Sequence, residues 1–155
     1  MTARASLAPA ETWQATIGEI CDKFDGGVQT GPFGSQLHAS DYSEDGTPVV
    51  MPQDMVDGRI CCDAIARVAD EFVQRLDRHK LKAGDIVFSR RGDVGRFAVV
   101  TPKEEGWICG TGSIRIRLNS PHIDIRYLRR FPSAKFDWRL APSQLKRGHD
   151  AQSQY

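Results

Sequence analysis

The chain predicts an α+β fold: a twisted, mostly antiparallel and partly barrel-like sheet flanked by short helices. Three observations carry that expectation. "SIRIRLN" (113–119) alternates Ile114, Ile116 and Leu118 with Arg115 and Arg117, the period of two that gives a strand unlike faces. "GDIVFSRRG" (84–92) and "GRFAVVT" (95–101) are β-rich runs joined through a glycine-bearing basic turn, the pattern of a hairpin. Helical spacing occurs only in short stretches, which suits helices that flank a sheet.

Taken in order, residues 1–11 are rich in Ala and lack a hydrophobic run, so they predict a disordered lead-in and not a secretory signal. Domain boundaries follow at 12–131 for the folded unit and 132–155 for a basic, polar C-terminal segment. In "TWQATIGEICDKF" (12–24), Ile17, Ile20, Cys21 and Phe24 fall at i, i+3, i+4 and i+7, a short amphipathic helix. "DGG" (25–27) should end it, its glycines taking the left-handed cap. "VQTGPFGSQLHASDY" (28–42) reads as a long loop with little that could form a core.

"TPVVMP" (47–52) is a short buried strand between turn formers, and "VDGRI" (56–60) carries an Asp-Gly turn. "ADEFVQRLDRHKL" (69–81) has Phe72, Val73, Leu76 and Leu81 near helical spacing, with acids early and bases late. After the predicted hairpin, "GWICG" (106–110) and residues 113–119 add two strands. "HIDIRYLRRF" (122–131) predicts a last amphipathic helix with Ile125, Leu128 and Phe131 inward.

With 155 residues, 40% hydrophobic and 26% charged, the chain is large enough for one domain with a real core. No apolar run is long enough for a membrane helix. Cys21, Cys61, Cys62 and Cys109 contain no C-x-x-C pair, so they read as reduced, mostly buried small hydrophobes and not as metal ligands. The net charge of +1 hides a polarity: nine Lys/Arg face two acids between Arg115 and His149, a net +7 that leaves −6 elsewhere. That is the footprint of a bound polyanion or of a solvated basic tail.

Enzyme chemistry finds no support. G-x-S-x-G, H-E-x-x-H, a P-loop, a strand-borne G-x-G-x-x-G and the N/D-P-P-Y motif of amino-methyltransferases are all missing. No catalytic residues, metal or cofactor are therefore assigned.

The segments with chemical character are "TGPFGSQLHASDY" (30–42), "FSRRGDVGR" (88–96) and "CGTGSIRIR" (109–117), each mixing glycines with hydrogen-bond donors. Arginine pairs with guanine O6 and N7 or clamps phosphate. Gln36 offers an amide suited to adenine, and glycines admit the backbone close to phosphate. The candidate DNA-contacting set is Thr30, Gly31, Gly34, Ser35, Gln36, His38, Arg90, Arg91, Arg96, Thr111, Arg115 and Arg117. Arg90, Arg91 and Arg96 should share an edge with the 30–38 loop. Arg90 and Arg91 alternate, so one should contact DNA while the other pairs with an acid. Phe33 tucked into the core would make the same loop purely structural.

In this order and spacing, "TGPFGSQLHASDY…GTPVV", "GDIVFSRRGDVGRFAVV" and "GWICGTGSIRIR…IDIRYL" resemble a target recognition domain of type I restriction–modification specificity subunits. The resemblance covers roughly residues 13–131. It implies a cytoplasmic prokaryotic defence protein that reads double-stranded DNA through loops at one sheet edge. It also implies work beside a DNA methyltransferase subunit and a restriction/translocase subunit, without catalysis of its own. Such subunits carry two recognition domains, each followed by a long helix. This chain has one, so a half-subunit pairing with a second domain in trans, a truncated relic and a reused isolated domain all remain open. The alternative function is a protein-interaction module that acts as a decoy or regulator.

Overall fold

The computed structural model describes residues 17–119 apart from 24 and 94; the lead-in, the expected 122–131 helix and the C-terminal segment lie outside these residues. Helix α1 (Ile17–Lys23) comes first, and the left-handed residue after it is Asp25, φ 49°, rather than either glycine. Gly26 is required for space instead: a Cβ there would lie 2.4 Å from the Arg117 carbonyl oxygen.

Four strands form the first sheet: β1 (Gly27–Thr30), β7 (Ile86–Ser89), β8 (Phe97–Val99) and β10 (Ser113–Arg117). Their order is β1-β10-β7-β8, all antiparallel. A second sheet takes β2 (Tyr42–Ser43), β3 (Thr47–Val50), β6 (Ala66–Val68) and β9 (Ile108–Cys109) in the order β2-β6-β3-β9, with β3 and β9 parallel. β4 (Met55–Val56) and β5 (Arg59–Ile60) make a separate hairpin. Its turn holds Asp57 at φ 50° and Gly58 at φ 74°, the left-handed pair of a tight β-hairpin. None of the three sheets closes into a barrel.

Apolar residues divide among three clusters according to sheet face. Val50, Met55, Ile60, Leu81, Val87, Ala98, Val100 and Cys109 form a central core between the two large sheets. Val28, Ile86, Ile114 and Ile116 occupy the far face of the first sheet with Cys21 of α1. Val49, Val68, Ile108 and Leu37 occupy the far face of the second, with Leu76 and a half-buried Val73. Val49 and Val50 thus feed different cores, which is why "TPVV" reads as a continuous apolar run.

The expected 69–81 helix shrinks to α2 (Asp70–Val73) and a 3-10 turn at Asp77–His79. Leu76 and Leu81 are both 1% exposed but belong to different cores. One straight helix cannot deliver them to opposite sides of a sheet, so the chain breaks between them. The 28–42 segment also departs from expectation, since Pro32, Leu37 and Asp41 are buried in it. Of the cysteines, Cys21 and Cys109 are buried while Cys62 is half-buried and Cys61 exposed. Burial pushes the Cys109 thiol up to about 12 and that of Cys21 to about 11.

Buried acids stabilise the turns. Asp41, Asp54, Asp85 and Glu104 each accept the backbone N–H of the residue three positions earlier, at 2.7 to 2.9 Å. Carboxylates aligned with orphan turn N–H groups satisfy donors that would otherwise be buried unpaired. Part of the chain's negative charge therefore works inside it.

Candidate nucleic-acid interface

Strand direction places the candidate loops together. β1 ends at Thr30, paired with Ile114 near the start of β10; Ser113 pairs with Ser89 at the end of β7. The loops 31–38, 90–96 and 110–112 therefore leave the same end of the first sheet. The second sheet joins them there: Gly110 donates its N–H to Val50 at 2.9 Å, so the β9–β10 connection crosses from one sheet to the other.

Short backbone contacts lock this end. Gly31 N–H reaches the Ser113 carbonyl at 2.9 Å, and Arg90 N–H reaches the Gly112 carbonyl at 2.7 Å. The Thr111 hydroxyl donates to the Pro32 carbonyl at 3.0 Å. At Gly31 a Cβ would sit 1.8 Å from the Gly110 carbonyl oxygen, so any side chain would drive the two loops apart. Thr30 is itself buried. Among the expected site residues, Thr30, Gly31 and Thr111 hold the loops in place.

Gly34, Ser35 and His38 are exposed, and Gln36 is half-buried. Gln36 Oε1 accepts the Phe33 N–H at 3.3 Å. That contact uses one of the two lone pairs on the amide oxygen and orients the amide, leaving the second lone pair and the NH2 group for adenine. The Phe33 carbonyl accepts N–H bonds from Gln36 and Leu37, at 2.8 and 3.2 Å. Phe33 thus has its backbone tied on both sides while its side chain stays out; at 48% exposure it is not the core anchor that a purely structural loop requires.

Arg91 and Arg96 are exposed and Arg90 half-buried on the β7–β8 hairpin. Arg96 pairs with Asp93 at 2.9 Å, as the local sequence suggests. The Arg90 guanidinium lies over the Phe33 ring, 5.5 Å from its centroid, so this hairpin and the 31–38 loop touch. Elsewhere Arg75 pairs with Asp41, Lys80 with Asp77 and Arg117 with Asp85. Neither Arg90 nor Arg91 takes the acid partner that alternation along the strand predicts. The backbone instead uses Arg91: its carbonyl accepts the Ser89 hydroxyl at 2.7 Å.

Arg115 and Arg117 are turned inward. The sheet face opposite Ile114 and Ile116 is covered by residues 78–85. There Arg115 donates to the carbonyls of Arg78 and Lys80, at 3.0 and 2.9 Å. Arg117 grips Asp85 with two nitrogens at 2.7 and 2.6 Å. Asp85 is 1% exposed, and its hydrogen bonds raise the Arg117 pKa while burial lowers that of Arg115. Next to them His79 is buried with neither ring nitrogen hydrogen-bonded. Burial, with the nearby charges of Arg78 and Arg115, pushes its pKa down to about 4 against the opposing effect of the Thr30 backbone, and the ring is neutral at pH 7.

Gln53 is a polar neighbour that sequence reasoning missed. It is exposed on the Pro52–Asp54 turn that follows β3. Pro52 abuts Gly112, where a Cβ would meet the proline ring at 3.4 Å. Only the parallel β3–β9 pairing brings this turn to the loop-bearing end, and no local signal announces that pairing. Among the described residues, no three His, Cys, Asp or Glu side chains group as a metal site, and no helix is long and apolar enough to cross a membrane.

No protein-family model matches the chain, and no curated protein matches it. Solved structures do. The HsdS subunit from Thermoanaerobacter tengcongensis superposes over 88% of this chain with a TM-score of 0.53 at 14% identity. A structure described as the basis of complex assembly and conformational transition of the type I R-M system covers 77% of this chain and 28% of its own, at 16% identity and a TM-score of 0.47. The chain spans about a third of the HsdS subunit, 33% of its length. Its fold is that of a part of a type I specificity subunit, the architecture that the sequence resemblance implies.

Proposed function

We propose that this domain reads double-stranded DNA within a type I restriction–modification system, using the end where the 31–38, 90–96 and 110–112 loops meet. The observation that carries the reading is the seating of the Arg90–Arg96 hairpin against the 31–38 loop. It brings the hairpin that carries Arg90, Arg91 and Arg96 to the same end of the sheet as the loop that carries Ser35, Gln36 and His38, with Arg90 packed on Phe33. Rigidity matters because ordering flexible loops on binding costs affinity. Arg90, Arg91 and Arg96 are the base- and phosphate-contacting cations of this reading. Thr30, Gly31 and Thr111 shape the loops, the open Gly34 leaves room for close approach of the backbone, and Arg115 and Arg117 act through the scaffold.

The chain supplies recognition and no chemistry of its own. A methyltransferase subunit and a restriction/translocase subunit would act at the site it selects. If Arg90, Arg91 and Arg96 alone meet phosphate, the log–log salt slope should be about −3, and a steeper slope would bring in further cations such as those between Arg126 and Arg147. Affinity for duplex alone should be on the order of micromolar or weaker at physiological salt. Nanomolar specific binding then requires a methyltransferase subunit or a second recognition domain in trans.

Fluorescence anisotropy of the full chain with labelled duplex, titrated with salt and repeated with a methyltransferase subunit, tests this. Salt-sensitive duplex binding supports it. Tight binding to the subunit with no duplex binding at any salt supports the other reading, a protein-interaction module acting as decoy or regulator.

A further inference from the structure

Phe33 has no place in the interface assembled from polar groups, yet the fold spends considerable structure on presenting it. Pro32 before it is fully buried and Leu37 beyond it is 5% exposed. Its own N–H and carbonyl are both engaged within the turn. The ring is therefore a fixed apolar projection, not a side chain on a loose tip. Arg90 is fixed with it: the guanidinium covers the ring at 5.5 Å from the centroid, and Nε is buried without a partner. None of the ion pairs among the described residues draws on Arg90.

We propose that Phe33 and Arg90 act as one reader of two adjoining base pairs, the ring packing on the 5-methyl group of a thymine and the guanidinium on a neighbouring guanine. The inference rests on the DNA-reading function above. In the major groove thymine differs from cytosine by its methyl group, for which an apolar side chain is the natural partner, while guanine offers O6 and N7 to a guanidinium. Base pairs are stacked about 3.4 Å apart along the duplex, within the span of a ring and a guanidinium whose centres are 5.5 Å apart. Insertion between two bases is the poorer fit, because Arg90 already occupies one face of the ring. Phe33 is thereby a specificity residue, and its ring also orients Arg90.

The test uses the full chain and the duplex it selects from a random pool. Each thymine is replaced in turn by deoxyuridine, which removes only the methyl group. The wild-type chain should lose about fivefold in affinity at one thymine next to a guanine, the size of a modest single-position defect. Phe33→Ala should lose at least that factor on the thymine duplex, since Arg90 loses its support as well, and then be indifferent to deoxyuridine. Its melting temperature should be unchanged, because the ring is exposed. Indifference of the wild-type chain to every replacement, or undiminished sensitivity in Phe33→Ala, overturns the proposal and leaves DNA reading intact. So does a rise in 2-aminopurine fluorescence at that step, which would signal a displaced base. Absence of any salt-sensitive duplex binding removes the underlying DNA reading first, before any thymine is replaced.

Discussion

Arg115 and Arg117 on β10 and Arg90, Arg91 and Arg96 on the β7–β8 hairpin lie only a few residues apart across the same sheet, yet they have opposite surroundings. The β10 pair meets backbone carbonyls and the buried Asp85. The hairpin arginines meet an aromatic ring, an exposed aspartate and solvent. Residue type is the same in both groups, so it decides nothing about DNA contact. What decides is whether the fold has already supplied acceptors. A guanidinium with two carbonyls and a carboxylate around it is part of the scaffold, and one left with open donors is available to a partner.

The contrast breaks most severely at Asp85. Asp85→Ala leaves the Arg117 guanidinium without its buried counter-ion and should cost about 3–5 kcal/mol of stability, measured by urea unfolding. Replacing both partners with apolar residues, Arg117→Met with Asp85→Leu, should recover most of that loss, because the pair's desolvation cost disappears with it.

Acid is the second way to break it. His79 lies beside Arg115 and has a folded pKa of about 4 against an ordinary 6.5. Between those values the unfolded chain binds more protons than the folded one. Stability from this group is complete above about pH 6.5, falls as pH drops towards 4 and levels off below that. The loss should approach about 3 kcal/mol, and His79→Leu should flatten that limb of the stability–pH curve.

Arg91→Ala sharpens the contrast from the other side. Its stability should change by less than about 0.5 kcal/mol, while specific duplex binding weakens by about 1–3 kcal/mol if it reads a base. Equal affinity of wild type and variant for specific and random duplexes would place Arg91 on a merely solvated face. Asp93→Ala should have the smallest effect. The exposed Arg96–Asp93 pair is worth under about 1 kcal/mol, so unfolding should scarcely move. The freed Arg96 should make duplex binding slightly tighter at low salt.

The strands within 47–60, 84–101 and 106–119 were legible because their signals are local, while β1, β2 and β6 were not read as strands. "IVFSRRGDVGRFAVV" carries two strands and their turn within one stretch, and "VDGRI" states its hairpin in two residues. Period two in "SIRIR" likewise separated an isoleucine face from an arginine face. What no local pattern could tell is that both faces of that sheet are covered, which turns the arginines into internal groups. The same limit hid the break after α2, since Leu76 and Leu81 look like one helical stripe until two cores exist to claim them. At the interface, the convergence of the 90–96 and 110–112 loops followed from strands that the sequence announces, whereas β1, which carries the 31–38 loop, falls within stretches read as cap and loop. Nor was Gln53 announced, because it arrives through a parallel pairing of β3 with β9, 58 or more residues apart along the chain. Whether Phe33 anchors the core or projects from the loop stayed open for a similar reason: apolarity is visible in a sequence, and the backbone contacts that hold a ring outward are not.

The Gly31–Gly110 approach also has a consequence for engineering. With the two sheets fastened at that point, the outer turn beyond it is separable from the frame: at Gly34, for instance, an added Cβ would meet nothing within 4 Å. Positions 33–36, 90, 91 and 93 can then be randomised together while Gly31, Pro32, Leu37, the left-handed Gly92 (φ 74°) and the Gly110–Ser113 crossing are held constant. A library built on those limits would vary the lettering and keep the type block, and selection on duplexes could draw new binding preferences from one unchanged core.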